Sequence, residues 1–383
     1  METPVNVPVA ALPPVCDEPA WSYLCTLLPA DLEESARRWQ ALLRCRHVPD
    51  AAALLRLALA YAVTDLSLKD VGAWAHAAGV AEITGPGLFY RLRAAEDWLG
   101  VVLAQTLQAQ VRPARGGLRL RAVDATVING PGATGTEWRA HVLIDPATGC
   151  FGAVELTDAH GGEGYARHPF QAGDVVLGDR AYGTARGVYA VHTAGAWVLV
   201  RLNPHAIRLC GAQRQRWDWS AAAAQVPAVL AHEWPVQVPV PPAARSRSHK
   251  PWSLAQAVAW LPVRLVGGRT RAGEVIWLLT TLPAATATPL RVLELYRLRW
   301  QIELLFKRLK SLLHLDQLPS RQGPTAKSWM LARFLAAALA QQLLDPAGTL
   351  SPWGYALRPG ELHAQRLVAF SHDPLGSAGS DSG

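Results

Sequence analysis

Apolar and polar positions divide the chain into stretches of different texture. From residue 20 to about 110 long Ala/Leu/Arg runs, such as Asp31 to Leu43 and Ala51 to Val63, predict helices throughout. Ser67-Leu68-Lys69-Asp70 has the form of a capping box, whose hydroxyl and acid satisfy the first free amides of a helix. That helix runs to Ala78 and ends at Gly79, and a second follows from about Pro86 to Leu99. Proline near a start and glycine just past an end are placed where helices accept them. Two short helices about a glycine turn, the second bearing Tyr90, Arg91 and Arg93, fit a helix-turn-helix or an ordinary bundle.

The texture changes at Gly116-Gly117. Leu118 to Ile128 alternates partially, as a strand does, and Ala140 to Ile144 predicts a second strand, closed by the turn Asp145-Pro146-Ala147-Thr148-Gly149. Phe151 to Leu156, Asp174 to Leu177 and Ala196 to Arg201 predict three more, with a glycine-bounded helical segment before the last. Strands followed by helices define an α/β class. Residues 202 to about 285 hold the Pro-rich run Trp234 to Pro242, a basic stretch Arg245 to Lys250, and β-rich pieces at Val258 to Val266 and Val275 to Leu279. Helices resume near Pro289, and the Gly/Pro/Ser-rich tail is expected to be partly disordered. The division this predicts is a helical segment at 1–115, an α/β core at 116–201, a β-rich insertion at 202–285, a second core part at 286–345 and a tail at 346–383.

Charge narrows the partner. With 37 Lys and Arg against 30 Asp and Glu, the formal charge of +7 points first to a polyanion, usually nucleic acid. Five scattered cysteines form no CxxC pair and fit a reducing compartment. Trp329 to Leu344 is apolar but interrupted by Arg333 and Gln341-Gln342, so it predicts a buried helix, with no membrane partner expected.

The richest stretch is Leu293 to Leu313, expected as one helix. At about 100° per residue, Tyr296, Arg299, Glu303, Lys307 and Lys310 fall within roughly 80° of one another. Leu295, Leu298, Ile302, Leu305, Phe306 and Leu309 form the adjoining apolar stripe. One carboxylate among cations suits a metal site facing phosphates, though a solvated, salt-bridged helix face would have the same spacing.

The order Tyr296-x2-Arg299-x3-Glu303-x6-Lys310 resembles the signature of the insertion-sequence-four family of cut-and-paste DDE transposases. Val123-Asp124-Ala125-Thr126-Val127, His160-Gly161-Gly162-Glu163, Leu177-Gly178-Asp179-Arg180-Ala181-Tyr182-Gly183 and Leu279-Thr280-Thr281-Leu282-Pro283 resemble the same family, from roughly Leu66 to Leu344. The resemblance implies a ribonuclease-H-like catalytic core with Asp124, Asp179 and Glu303 as its catalytic and metal-binding carboxylates. Asp124 falls inside an apolar strand, where a charge is costly unless paired or metal-bound. The competing acids read differently: Asp145 as a turn former, Asp158 as a neighbour of the site, Asp174 as a strand start. Glu163 and His160 are candidates for a direct role.

By the same resemblance two Mg²⁺ ions, or Mn²⁺ in their place, would bridge a scissile phosphate about 4 Å apart. Tyr296, Arg299, Lys307 and Lys310 would contact DNA, and residues 1–115 would bind the transposon ends. Double-stranded DNA, both inverted-repeat ends and target, is the expected partner, with a homodimer in the synaptic complex and a cytoplasmic, nucleoid-associated location. Relatives cut the second strand through a hairpin, and a tryptophan of the insertion, Trp277 first, could stack on a flipped base. Two rivals are an inactive or domesticated relative that only binds DNA and a helix-turn-helix regulator. Beyond Ser351-Pro352-Trp353-Gly354 the family leads one to expect further helix, where this chain has a Ser/Gly tail.

Overall fold

A computed structural model describes residues 14–110, 118–204, 206–242, 252–270, 272–319 and 323–344. The basic stretch 245–250 and the tail beyond 344 lie outside the described residues. The chain opens with α1 (Glu18–Cys25), α2 (Leu32–Arg38), α3 (Ala51–Val63), α4 (Leu68–Ala77), α5 (Gly85–Ala94) and α6 (Glu96–Ala109). Side-chain caps set several starts: Asp50 accepts from the Ala53 amide at 2.7 Å, Ser67 from Asp70 at 3.2 Å and Thr84 from Gly87 at 3.3 Å. The single helix expected from Pro86 to Leu99 is two, because the chain turns at Ala95.

Eight strands form one mixed sheet: β1 (Arg119–Ile128), β2 (Trp138–Ile144), β3 (Phe151–Asp158), β4 (Asp174–Gly178), β5 (Trp197–Arg201), β6 (His232–Val240), β7 (Ala259–Arg269) and β8 (Val275–Thr280). Their order is β3-β2-β1-β4-β5-β8-β7-β6. β1 to β3 are an antiparallel meander, β4 runs parallel to β1, and β5 parallel to β4. The β-rich insertion is therefore no separate sheet, since β8 pairs antiparallel with β5 and carries β7 and β6 outward. The Pro-rich run supplies β6, and Pro235 and Pro239 are tolerated because this is an edge strand, where a missing amide can face away from the ladder. Thr280 and Thr281 stitch the join: the Thr280 hydroxyl donates to the Val198 carbonyl at 2.7 Å, and the Val198 amide donates to the Thr281 hydroxyl at 2.8 Å.

Helices cover both faces. α7 (Ala185–Thr193) and α8 (Trp219–Gln225) close one face over Val123, Val176, Val198 and Leu265. On the other, α9 (Pro289–Arg297), α10 (Trp300–Leu313) and α11 (Gly323–Leu344) share a core with Ala122, Leu177, Leu199 and the first helices. α11 packs against α3, α5 and α6. Lys327 reaches Glu96 at 2.6 Å, and the Ser328 hydroxyl donates to the Leu92 carbonyl at 2.6 Å. Arg333, buried on α11 as the apolar pattern implied, lies 4.0 Å from the Trp329 ring. One continuous apolar core thus joins residues near both ends of the described chain.

Candidate active site

Strand register brings two of the sequence-predicted carboxylates together. Ala122 of β1 pairs with Leu177 of the parallel neighbour β4. Asp124 and Asp179 each follow that pair by two residues, the step that returns a strand side chain to the same face. Gly178 before Asp179 has a steric reason, because a Cβ there would lie 2.4 Å from Tyr165 Oη and 2.9 Å from Tyr182 Cβ. Asp179 Oδ1 accepts from the Ala181 amide at 2.8 Å, and Asp124 Oδ1 from Ala125 at 2.8 Å.

Glu303 arrives from α10, which packs on β1. The helix expected over Leu293 to Leu313 is divided at Leu298–Arg299. There the amides of Leu298, Arg299, Gln301 and Ile302 bond to carbonyls three residues back, at 3.0 to 3.1 Å, a tighter winding than the α-helix. The tighter turn leaves Arg299 at the head of α10, where it pairs with Asp124 at 3.6 Å and with Glu303 one turn on. Asp124 and Glu303 are therefore separated by one guanidinium. Tyr296 is buried beside it, its ring centroid 5.9 Å from the Arg299 guanidinium carbon. Lys307 is exposed and Lys310 half-buried, one and two turns beyond Glu303.

The field is strongly negative. Burial raises the Asp124 carboxyl to a pKa of about 7; Asp179 and Glu163 add to the rise, while the Ala125 amide and Arg299 oppose it. Burial likewise raises Glu163, helped by Asp179 and opposed by Arg139. Burial works against the charge on Arg299, yet Tyr296, Glu303 and Asp124 together hold its pKa above the ordinary value. Tyr182 is pushed up by burial and then by Asp124, Glu163 and Asp179. Among the described residues no three His, Cys, Asp or Glu side chains are grouped as ion ligands in this arrangement. Arg299 stands between Asp124 and Glu303 as their counter-cation, so the expected three-carboxylate set converges without closing.

The other candidates sort by contact. Asp174 is buried against Arg119 and, at 3.6 Å, Arg121, which makes it a structural anchor. Asp145 accepts from the Ala147 amide at 2.9 Å, as a turn former does. Asp158 caps its loop by accepting from the His160 amide at 2.9 Å, and His160 itself is exposed. Trp277 is 7% exposed and packs 5.3 Å from Trp219 and 5.7 Å from Trp234, so it is a core residue rather than a platform for a base. Two buried histidines escaped the sequence reading. His141 and His168 are both lowered to about 4, by burial first, then by Arg167 and Arg139 for His141 and by His141 and Arg167 for His168. Both remain neutral at ordinary pH.

Residues 115–339 match the family described as Transposase DDE domain. The chain is 36% identical over 356 residues to InsL, the transposase assigned to insertion sequence element IS186A of Escherichia coli strain K12, covering 87% of this chain and 96% of that protein. It is 35% identical over 357 residues to the transposase for insertion sequence element IS421 of Escherichia coli, with the same coverage of 87% and 96%. The chain belongs to the DDE transposases, in the insertion-sequence-four family. Enzymes of this kind cleave and transfer DNA and generally use divalent metal ions. A cryo-EM structure of a piggyBac transposase synaptic complex with hairpin DNA aligns over 87% of the transposase and 74% of that chain at 8% identity, with a TM-score of 0.45, too loose a likeness to argue from. Among the described residues of the transposase no helix is long and apolar enough to cross a membrane.

Proposed function

We propose that this transposase binds the inverted-repeat ends of its element, hydrolyses the phosphodiester there and joins the freed 3′ ends to target DNA, with Asp124, Asp179 and Glu303 as the catalytic carboxylates. The observation that carries the reading is the convergence of all three on one sheet region: two by register on parallel strands, the third through a shared arginine. The strand order β3-β2-β1-β4-β5, with β1 to β3 antiparallel and β4 and β5 parallel, supports a ribonuclease-H-like core.

The donor set suits hard divalent cations. Carboxylate oxygens are their preferred ligands, and an Asp124 raised to about 7 among other acids is a site where added positive charge is welcome. Asp124, Asp179 and Glu303 would hold two Mg²⁺ ions, or Mn²⁺, which supply activation of the attacking oxygen and stabilisation of the leaving one. Arg299, which here pairs with Asp124 and Glu303, would be free to bind a phosphate with its five fixed donors were those carboxylates neutralised by other cations. Tyr296 holds the arginine in place, and Lys307 and Lys310 extend the basic ridge for the strand leaving the cut.

The helices of residues 14–110 would grip the end, with Tyr90, 65% exposed on α5, edge-on to Phe89, over whose ring Arg93 lies. Synapsis of two ends calls for a homodimer, acting at the nucleoid in the cytoplasm. The test incubates the purified protein with duplexes carrying the inverted repeats that flank its coding region, in Mg²⁺. Wild type is expected to nick and join these ends, while Asp124→Asn binds and cuts nothing. Binding with no cleavage by wild type would leave only a DNA-binding relative.

A further inference from the structure

Apart from the Tyr296, Arg299, Glu303 and Lys310 signature, the loop between β3 and β4 is held with unusual care. Asp158 Oδ1 accepts from the His160 amide, and the Gly161 amide donates to the Asp158 carbonyl at 3.1 Å, folding the loop back on β3. A Cβ on Gly161 would lie 2.0 Å from Thr157 Oγ1, so only glycine allows that return. Arg139 of β2 donates to the Gly161 carbonyl at 3.1 Å. Arg167 donates to the Gly162 carbonyl at 2.7 Å while pairing with Glu155 at 2.7 Å. Two cations thus fix the two peptides just before Glu163.

Glu163 itself is exposed, and two residues on, the clamped loop passes beside Asp179, since Tyr165 Oη would lie 2.4 Å from a Cβ on Gly178. β3 runs parallel to β1 and β4, so the loop leaves the same edge of the sheet to which Asp179 belongs. The Glu163 charge acts on Asp124 and Tyr182, and that of Asp179 acts on Glu163, which puts the three acids in one field. An independent group points into the same space. Tyr182 is 1% exposed, its ring packs on Tyr165 and His168, its hydroxyl has no hydrogen-bond partner, and the charges of Asp124, Glu163 and Asp179 all act on it. A buried hydroxyl left unbonded costs about 1–3 kcal/mol, and an oxygen in the shell of a bound ion is its natural partner. Glu303 reaches the cluster through Arg299, whereas the cation opposing Glu163 is Arg139.

We propose that Glu163 is a fourth carboxylate of the site and a ligand for a divalent cation beside Asp124 and Asp179. This rests on the catalytic reading of those two aspartates, and the experiment separates the two claims. Full-length protein without DNA is titrated with Mn²⁺, and the free ion is read by electron paramagnetic resonance for wild type, Glu163→Gln, Glu163→Asp and Asp124→Asn. Exchange of groups that merely support a metal ligand weakens binding about 10- to 100-fold, so Glu163→Gln is expected to lose at least about tenfold. Glu163→Asp, which keeps the charge, recovers part of that loss. If Glu163→Gln and Glu163→Asp both bind Mn²⁺ as wild type does while Asp124→Asn does not, Glu163 is no ligand and the catalytic reading stands. If Asp124→Asn also binds as wild type does, the catalytic reading itself fails. Should Glu163→Gln melt out, Glu163→Asp decides: affinity equal to wild type with a misfolded Gln variant makes Glu163 a structural residue and overturns the proposal.

Discussion

Asp124→Asn removes a charge that the Ala125 amide and Arg299 compensate only in part. The side chain is 17% exposed, and its pKa is raised from 3.8 to about 7, by burial first and then by Asp179 and Glu163. A carboxyl whose folded pKa exceeds its unfolded value keeps extra protons in the native state. Its contribution to stability is therefore complete below about pH 4 and is lost as the pH rises through 7. The difference corresponds to about 4 kcal/mol between the two protonation states, and relaxation of a partly polar site reduces the expected effect to about 1–3 kcal/mol. Chelated, metal-free wild type and Asp124→Asn are melted at pH 4 and pH 8. The asparagine protein is expected to melt a few degrees higher at pH 8 and level with wild type at pH 4. Added Mn²⁺ should raise the wild-type melting temperature and leave the variant unmoved, since only the native charged site gains from binding. Equal melting at pH 8, or the same gain at both pH values, would refute the argument that the charge is under-compensated.

Glu303→Gln should keep DNA-end binding in a gel-shift assay while cleavage falls about 10³-fold, near 4 kcal/mol of transition-state stabilisation. Thr280→Val removes a hydroxyl that donates to the Val198 carbonyl and accepts from the Leu282 amide at 3.1 Å, and should lower stability by about 1–3 kcal/mol in urea titration. Gly161→Ala forces the loop off Thr157 and should cut cleavage about tenfold or more with little change in melting temperature, because the loop is peripheral to the core. A Gly161→Ala protein with wild-type cleavage would show that the loop position does not matter.

Much of the architecture was legible because local signals were unopposed. Asp50 and Thr64 bracket an apolar run with no breaker, and α3 spans Ala51–Val63 as that pattern predicts. β1 and β4 showed themselves by strand texture, and the family motifs marked Asp124 in the middle of β1 and Asp179 just past the end of β4. The break between α9 and α10 was hidden, since Leu298 and Arg299 stay in right-handed helical geometry and no glycine or proline marks the place. The stretch expected as β-rich supplies β6, β7 and β8, but texture does not name a partner, and the pairing of β8 with β5 joins residues about 80 positions apart. Trp277 gave no sign of its neighbours Trp219 and Trp234, which arrive from a helix and an edge strand. For Glu163 the signals were the family-like run His160-Gly161-Gly162-Glu163 and, within it, the pair of glycines, which mark a backbone fold that other residues resist.

The course of α11 bears on how this protein can be taken apart. That helix follows the acid-bearing α10, yet its neighbours are α3, α5 and α6, whose sequence ended more than two hundred residues earlier. A fragment stopping at residue 110 would present to water the groove that Leu335 and Leu339 fill in the whole protein. Clumping of such a fragment would reveal a missing helix and say nothing about affinity for DNA. On the proposed reading the same splice would tie grip to scissors, because α11 packs on the leading helices and on the α10 that bears Glu303.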